Sequence, residues 1–81
     1  MNNQIHVTYF AILREQRGLA AEELSTSAAT ARELFSELTG RHRFTLPMER
    51  LRIAINGEFA SWDTALQSGQ KLALIPPVAG G

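Results

Sequence analysis

Leu51, Ile53 and Ile55 alternate with Arg52 and Ala54 and run directly into Asn56-Gly57. A period of two writes a strand with one buried face, and Asn-Gly is the pair that most readily takes the positive φ values of a tight hairpin turn. These seven residues therefore predict a strand, a turn and, over Glu58 to Ala60, a short returning partner. An isolated hairpin is marginal in water. The remainder of the 81-residue chain, 44% of it hydrophobic, has to supply one core, and it is too short for two.

The first segment, Ile5 to Phe10, puts Ile5, Val7 and Tyr9 on one face and His6, Thr8 and Phe10 on the other. Apolar residues on both sides suit a strand inside a sheet, and "KLALIP" at the far end has the same character up to Pro76, which removes a ladder donor. "AILREQRG" reads as a polar connection closed by Gly18, and "LAAEELS" as a second strand returning antiparallel to the first. Thr30 precedes Glu33 at capping-box spacing and starts a helix whose apolar stripe is Ala31, Leu34, Phe35 and Leu38, with Gly40 as its end after about three turns. "RHRFTLPMER" reads as a loop around Pro47, and Asp63 as the cap of one helical turn through "DTALQSG". The predicted order is strand, strand, helix, strand, short strand, strand. It specifies an α+β fold with one main helix packed across a mixed sheet, the β-grasp arrangement in which first and last strands lie side by side at the centre. Residues 1–75 form that single domain and 76–81 a flexible tail leaving the middle of the sheet.

Eight acidic and eight basic residues leave no net field for a nucleic-acid backbone or an anionic membrane. Without cysteine the chain has no disulfide, thiolate metal site or thiol nucleophile, which suits a cytoplasmic setting, as does an N-terminus unlike a signal peptide. No serine sits in a nucleophile-elbow context, and no spacing matches a zinc, calcium or phosphate-loop site. His6 reads as a half-buried or edge residue of the first strand, and His42, with Arg41 and Arg43, as positive charge following the helix at its carbonyl end.

Phe10, Phe59 and Ile75 come from three predicted strands. On a common face away from the helix they form an exposed apolar patch of the kind that binds a protein partner. Phe10 is out of step with Ile5, Val7 and Tyr9, so only one of these two sets faces the helix. In "PPVAGG", Gly80-Gly81 is a thread thin enough to enter a narrow channel, ending in a carboxylate. Pro76-Pro77 stiffens the start of the tail and lowers the entropy lost when a partner grips it. A free carboxylate is a poor electrophile; an ATP-dependent partner would have to activate it as an acyl-adenylate before it accepted an amine or sulfur.

"YFAILRE", "AIN" before the hairpin and "DTALQSGQKLALIPPVAGG" resemble the small, sulfur-carrying subunit of molybdopterin synthase, a family of ubiquitin-like β-grasp proteins; the likeness is weakest from Leu19 to Arg50. It implies that an E1-like adenylyltransferase activates Gly81 and that a sulfurtransferase system supplies sulfur for a Gly81 thiocarboxylate. The tail, slender at Gly80, would then enter the large catalytic subunit and give sulfur to cyclic pyranopterin monophosphate, two deliveries making the dithiolene that holds molybdenum. By the same resemblance the small subunit is a sulfur-donating co-substrate, not catalytic alone, binds no cofactor or metal, and belongs to a heterotetramer. Phe10, Phe59 and Ile75, with Pro76, Pro77 and Val78 of the tail, are then its partner-binding residues. Ser68, Gln70 and Ala79 depart from the family's usual choices at the last turn and in the tail. A carrier for thiamin or another sulfur pathway, and a ubiquitin-like modifier joined to lysines through Gly81, share the fold and tail and remain alternatives.

Overall fold

The computed structural model describes residues 2–77. Its elements are β1 (Asn3–Tyr9), α1 (Ala11–Arg17), β2 (Ala21–Thr26), α2 (Ala31–His42), a 3-10 turn (Met48–Arg50), β3 (Arg52–Ile55), β4 (Glu58–Ala60) and β5 (Lys71–Ile75). The strands form one five-stranded sheet in the order β2-β1-β5-β3-β4. β1 and β5 run parallel at its centre, from His6 opposite Lys71 to Tyr9 opposite Leu74, and every other pairing is antiparallel. The α+β, β-grasp reading of the sequence is the observed fold.

Alternation decides which face is covered. Ile5, Val7, Tyr9, Ile53, Leu72 and Leu74 are all essentially inaccessible, and they share one cluster with Ala31, Leu34, Phe35 and Leu38 of α2. Burying an aliphatic or aromatic side chain of this size contributes about 1.5–3 kcal/mol, so this single layer holds the domain together. Phe44, from the connection after α2, closes the core between two rings, with centroids 5.9 Å from Tyr9 and 6.1 Å from Phe35.

Two local signals act as the sequence predicts. Thr30 caps α2, its hydroxyl accepting from the Glu33 amide at 3.3 Å. Asn56 and Gly57 have φ of 53° and 86°, the left-handed pair of a tight hairpin. Asn56 also exchanges two bonds with Lys71: its amide donates to the Lys71 carbonyl at 2.8 Å and its side-chain carbonyl accepts from the Lys71 amide at 2.9 Å. The hairpin is thereby pinned to the start of the central strand.

Four expectations are corrected. "AILREQRG" is a helix, α1, which buries only Leu13 and ends where Gly18, at φ 84°, donates its amide to the Arg14 carbonyl at 2.9 Å. One buried residue in two turns leaves no apolar stripe to read. α2 passes through Gly40 and stops at Arg43, which takes the left-handed conformation at φ 55°, so His42 lies in the last turn and does not follow the helix. No helix forms at "DTALQSG". Backbone bonds from Ala31 to Thr64 (3.3 Å) and from Leu66 to Ala29 (2.9 Å) tie that segment to the start of α2, while Asp63 accepts from Arg32 at 2.9 Å. Phe10 belongs to no strand; it is the residue between β1 and α1.

Candidate functional site

The face of the sheet opposite α2 has no element packed on it among the described residues. Register assigns its side chains. One row crosses the sheet from Ala21 through Thr8, Ala73 and Ala54 to Phe59, and the row before it carries Glu23, His6 and Lys71. The third contains Ile75 and Arg52, which stand opposite one another. The face is therefore polar where β5 begins and apolar where β5 ends, at the point where Pro76 and Pro77 continue the chain.

Phe59 is 69% exposed, an unusual fraction for a phenylalanine on a sheet face. Together with Leu51, Arg52, Ile75, Pro76 and Pro77 it lines a groove of about 300 Å³, whose rim carries Glu49 and Arg50. The Arg52 guanidinium carbon lies 5.8 Å from the centre of the Phe59 ring, a cation–π distance. Four of the expected partner-binding residues, Phe59, Ile75, Pro76 and Pro77, thus meet in one place. Phe10 does not line the groove; it is 45% exposed beyond the end of β1, beside the edge of the same face. Val78, Gly80 and Gly81 lie outside the described residues.

Phe10 itself is extended, at φ -127° and ψ 150°, and the backbone turns immediately after it. Ala11 has φ of 51°, a left-handed conformation costing an L-residue about 1–2 kcal/mol. This turn directs the chain from β1 into α1, while a half-buried polar cluster holds α1 to the sheet. Tyr9 donates its hydroxyl hydrogen to Glu22 at 2.7 Å, and Arg17 donates to both Glu22 oxygens at 2.6 and 2.7 Å. Burial, then the carboxylate beside it, holds the Tyr9 phenol far above its ordinary range, so it acts as a donor throughout. Hydrogen bonds from Arg17, with that of Tyr9, keep the Glu22 carboxyl below its usual range.

His42 stands near this cluster, its ring 5.8 Å from that of Phe44. Burial, helped by the charges of Arg17 and Arg41 and opposed by Glu22, lowers its pKa, so at neutral pH it is not the cation expected from its place near the helix end. Both shifts give stability lost as pH falls. The unfolded chain takes up the His42 proton first, beginning near 6.5, and the Glu22 contribution, full above 4.5, disappears as its lower folded value is approached. Thermal melts across this range are expected to show two descending steps, the upper removed by His42→Gln and the lower by Glu22→Gln. At neutral pH Glu22→Gln should cost about 1–2 kcal/mol, within the range for hydrogen bonds to a charged group after partial screening. A melting temperature independent of pH from 7 to 4 would refute this account.

The described residues contain no group of three or more His, Asp or Glu placed to hold a metal ion. Their serines near the turns serve the backbone: the Ser68 hydroxyl accepts from the Gln4 amide at 2.8 Å, and that of Ser61 from the Asp63 amide at 3.1 Å. What the site offers is an uncovered face with an exposed apolar groove at the point where the tail begins.

The model of the ThiS family matches residues 7–81. The chain belongs to the ThiS family. Among curated proteins this ThiS-family chain is 34% identical over 80 residues to the molybdopterin synthase sulfur carrier subunit of Escherichia coli, and 32% identical over 80 residues to that of Haemophilus influenzae. Each alignment covers 95% of this chain and 99% of the relative. Its fold is shared with a putative molybdopterin converting factor subunit 1 from Pyrococcus furiosus, at 31% identity and a TM-score of 0.79, with 94% and 99% of the two chains covered. Small archaeal modifier protein 1 of Haloferax volcanii gives a TM-score of 0.79 at 26% identity, again over 94% and 99%. A third match, at 25% identity and a TM-score of 0.65 over 96% and 99%, is in a complex of subunits 1 and 2 of the molybdopterin-converting factor from Helicobacter pylori.

Sequence reasoning missed the two arginines of the groove. The signal was present, since Arg52 is out of step with Leu51 and Ile53 and so shares the face of Phe59.

Proposed function

We propose that this ThiS-family chain is the sulfur carrier subunit of a molybdopterin synthase. The observation that carries the reading is the agreement between family and geometry: whole-length relatives bear that name, and the central strand delivers Pro76 and Pro77 at the apolar end of an uncovered face. An enzyme that uses the tail therefore docks on Phe59 and Ile75 in the same event.

The chemistry runs through Gly81. An E1-like partner transfers AMP from ATP to the Gly81 carboxylate, releasing pyrophosphate. The terminal sulfur of a persulfide on the sulfurtransferase system attacks the acyl-adenylate and releases AMP, and a thiol then reduces the resulting acyl disulfide, leaving the Gly81 thiocarboxylate and a disulfide. The large catalytic subunit then receives the tail, sulfur passes to cyclic pyranopterin monophosphate, and water supplies the oxygen that restores the Gly81 carboxylate. The carrier contributes the acyl group and the docking face, and no metal or cofactor of its own. Its setting is cytoplasmic, in a heterotetramer with two large subunits; among the described residues no helix is long and apolar enough to cross a membrane.

The test is the intact mass of the chain after co-expression with the adenylating enzyme and sulfurtransferase of its own organism, with the C-terminal peptide fragmented. One oxygen replaced by sulfur at Gly81 is expected. The likeness to small archaeal modifier protein 1 favours a second reading, a protein modifier, for which the same experiment would instead give adducts to lysine that resist reducing agents.

A further inference from the structure

Three ion pairs occur among the described residues, and each uses an arginine: Arg17 with Glu22, Arg32 with Asp63 and Arg41 with Glu37. Arg50 and Arg52 belong to none of them and make no side-chain hydrogen bond there, although both border the groove at the base of the tail. Sequence and topology put them in that position for separate reasons. Arg50 closes the 3-10 turn, its amide donating to the Pro47 carbonyl at 2.9 Å, and Arg52 opens β3 opposite Ile75. Among the described residues Glu49 is the one carboxylate lining the groove, against Arg50 and Arg52, so their charge there is positive on a chain that is neutral as a whole.

The groove cannot be bypassed by an enzyme that uses the tail. Residues 78–81 span at most about 14 Å even when fully extended. Bringing Gly81 into an active site thus brings the walls of that site onto Pro76, Pro77 and their neighbours. Whatever covers this surface desolvates two guanidinium groups. A buried cation without a partner is costly, and a guanidinium is best satisfied by the two oxygens of a carboxylate. The volume of about 300 Å³ is at the lower end for small-molecule sites, and it holds one or two side chains more readily than a nucleotide. Its apolar lining comes from Phe59, Ile75, Leu51, Pro76 and Pro77.

We propose that the groove at the tail base receives an acidic side chain, flanked by apolar residues, from the enzyme that grips the tail, and that Arg52 and Arg50 determine which enzymes are accepted. Arg52 is already placed against Phe59, so less of its rotamer freedom remains to be lost on pairing. The pair supplies orientation and rate of encounter, and the apolar residues supply most of the contact. This rests on the carrier function proposed above and adds the chemistry of the partner's matching surface.

The experiment compares the intact chain with the double variant Arg50→Gln, Arg52→Gln. Affinity for the adenylating enzyme and for the large synthase subunit of the same organism is measured at low and high salt, alongside thiocarboxylate formation by mass. Both arginines are exposed, and equal melting curves show that the variant folds. The expected result is affinity about ten- to a hundred-fold weaker at low salt for at least one of the enzymes, a flatter salt dependence, and slower thiocarboxylate formation at sub-saturating carrier. Restored binding when Arg52→Glu meets an acid-to-arginine change on that enzyme fixes the pairing. Equal affinity and equal salt dependence overturn the proposal. So does an effect confined to the apparent affinity for ATP, which assigns the groove to nucleotide phosphate. An intact chain that binds but never gains sulfur overturns the carrier reading alone, and one that binds neither enzyme overturns both.

Discussion

A chain lacking Gly81 is expected to melt as the intact protein does and to transfer no sulfur. The described contacts that stabilise the sheet end with Ile75 opposite Arg52, so removing the last residue takes nothing from the core. It shortens the reach of the acyl group by up to about 3.5 Å. A misplacement of about 1 Å at a reacting centre costs on the order of a hundred-fold in rate, so such a retreat abolishes measurable turnover. Adding one residue after Gly81 has the same outcome for a different reason, because the carboxylate to be activated becomes an amide. Both variants are scored by intact mass for thiocarboxylate and by formation of the dithiolene product with the large subunit. Normal sulfur delivery from either would end the carrier reading.

Phe59→Asp is expected to leave stability within about 0.5 kcal/mol of the parent and to weaken association with the large subunit by a hundred-fold or more. The side chain is 69% exposed and lies in the short edge strand β4, so the fold gains little from it. A partner that covers it gains about 1.5–3 kcal/mol of apolar transfer, roughly ten- to a hundred-fold in affinity, and an aspartate in its place adds the cost of burying a carboxylate. The aspartate also stands beside Arg52, which can satisfy part of its charge, so Phe59→Ala is the companion variant and should show the apolar part alone. Titration calorimetry with the large subunit, paired with thermal melts, separates the two effects. Unchanged affinity in both variants would move the docking surface elsewhere.

The sequence was most legible where a side chain acts on its own backbone. Thr30 caps the helix it precedes, Asn56-Gly57 turns the strand it follows, and Ile5, Val7 and Tyr9 share one face as read, the face that proves to be the core. These effects need no knowledge of distant residues. Where distant residues decide, the reading failed. α1 exists because Leu13 enters the core and Glu22 holds Arg17, neither of which leaves a periodic trace. Gly40 does not end α2, because an exposed helix position tolerates glycine and the turn was left to Arg43. Asp63 caps nothing; Arg32, far off in sequence, takes its side chain. The candidate site was legible in its apolar half. Of its cationic half only the face of Arg52 could be read from the alternation; that Arg50 borders the same groove, and that neither arginine is paired among the described residues, are properties of the folded surface.

The two strands at the middle of the sheet come from opposite ends of the described chain, Asn3–Tyr9 and Lys71–Ile75. Non-local pairing of this kind is slow to form, since nearly the whole chain must close into a loop before it gains anything. It also sets an order during synthesis. Until β5 emerges from the ribosome, β2 and β1 have no connection within the sheet to β3 and β4, so no nascent intermediate presents Phe59 and Ile75 together in the groove. Pro76 and Pro77 follow at once. On the carrier function proposed above, an activating enzyme that reads this face would be spared unfinished carriers, and a truncation reaching into β5 removes the hinge between two half-sheets and does not merely trim an end.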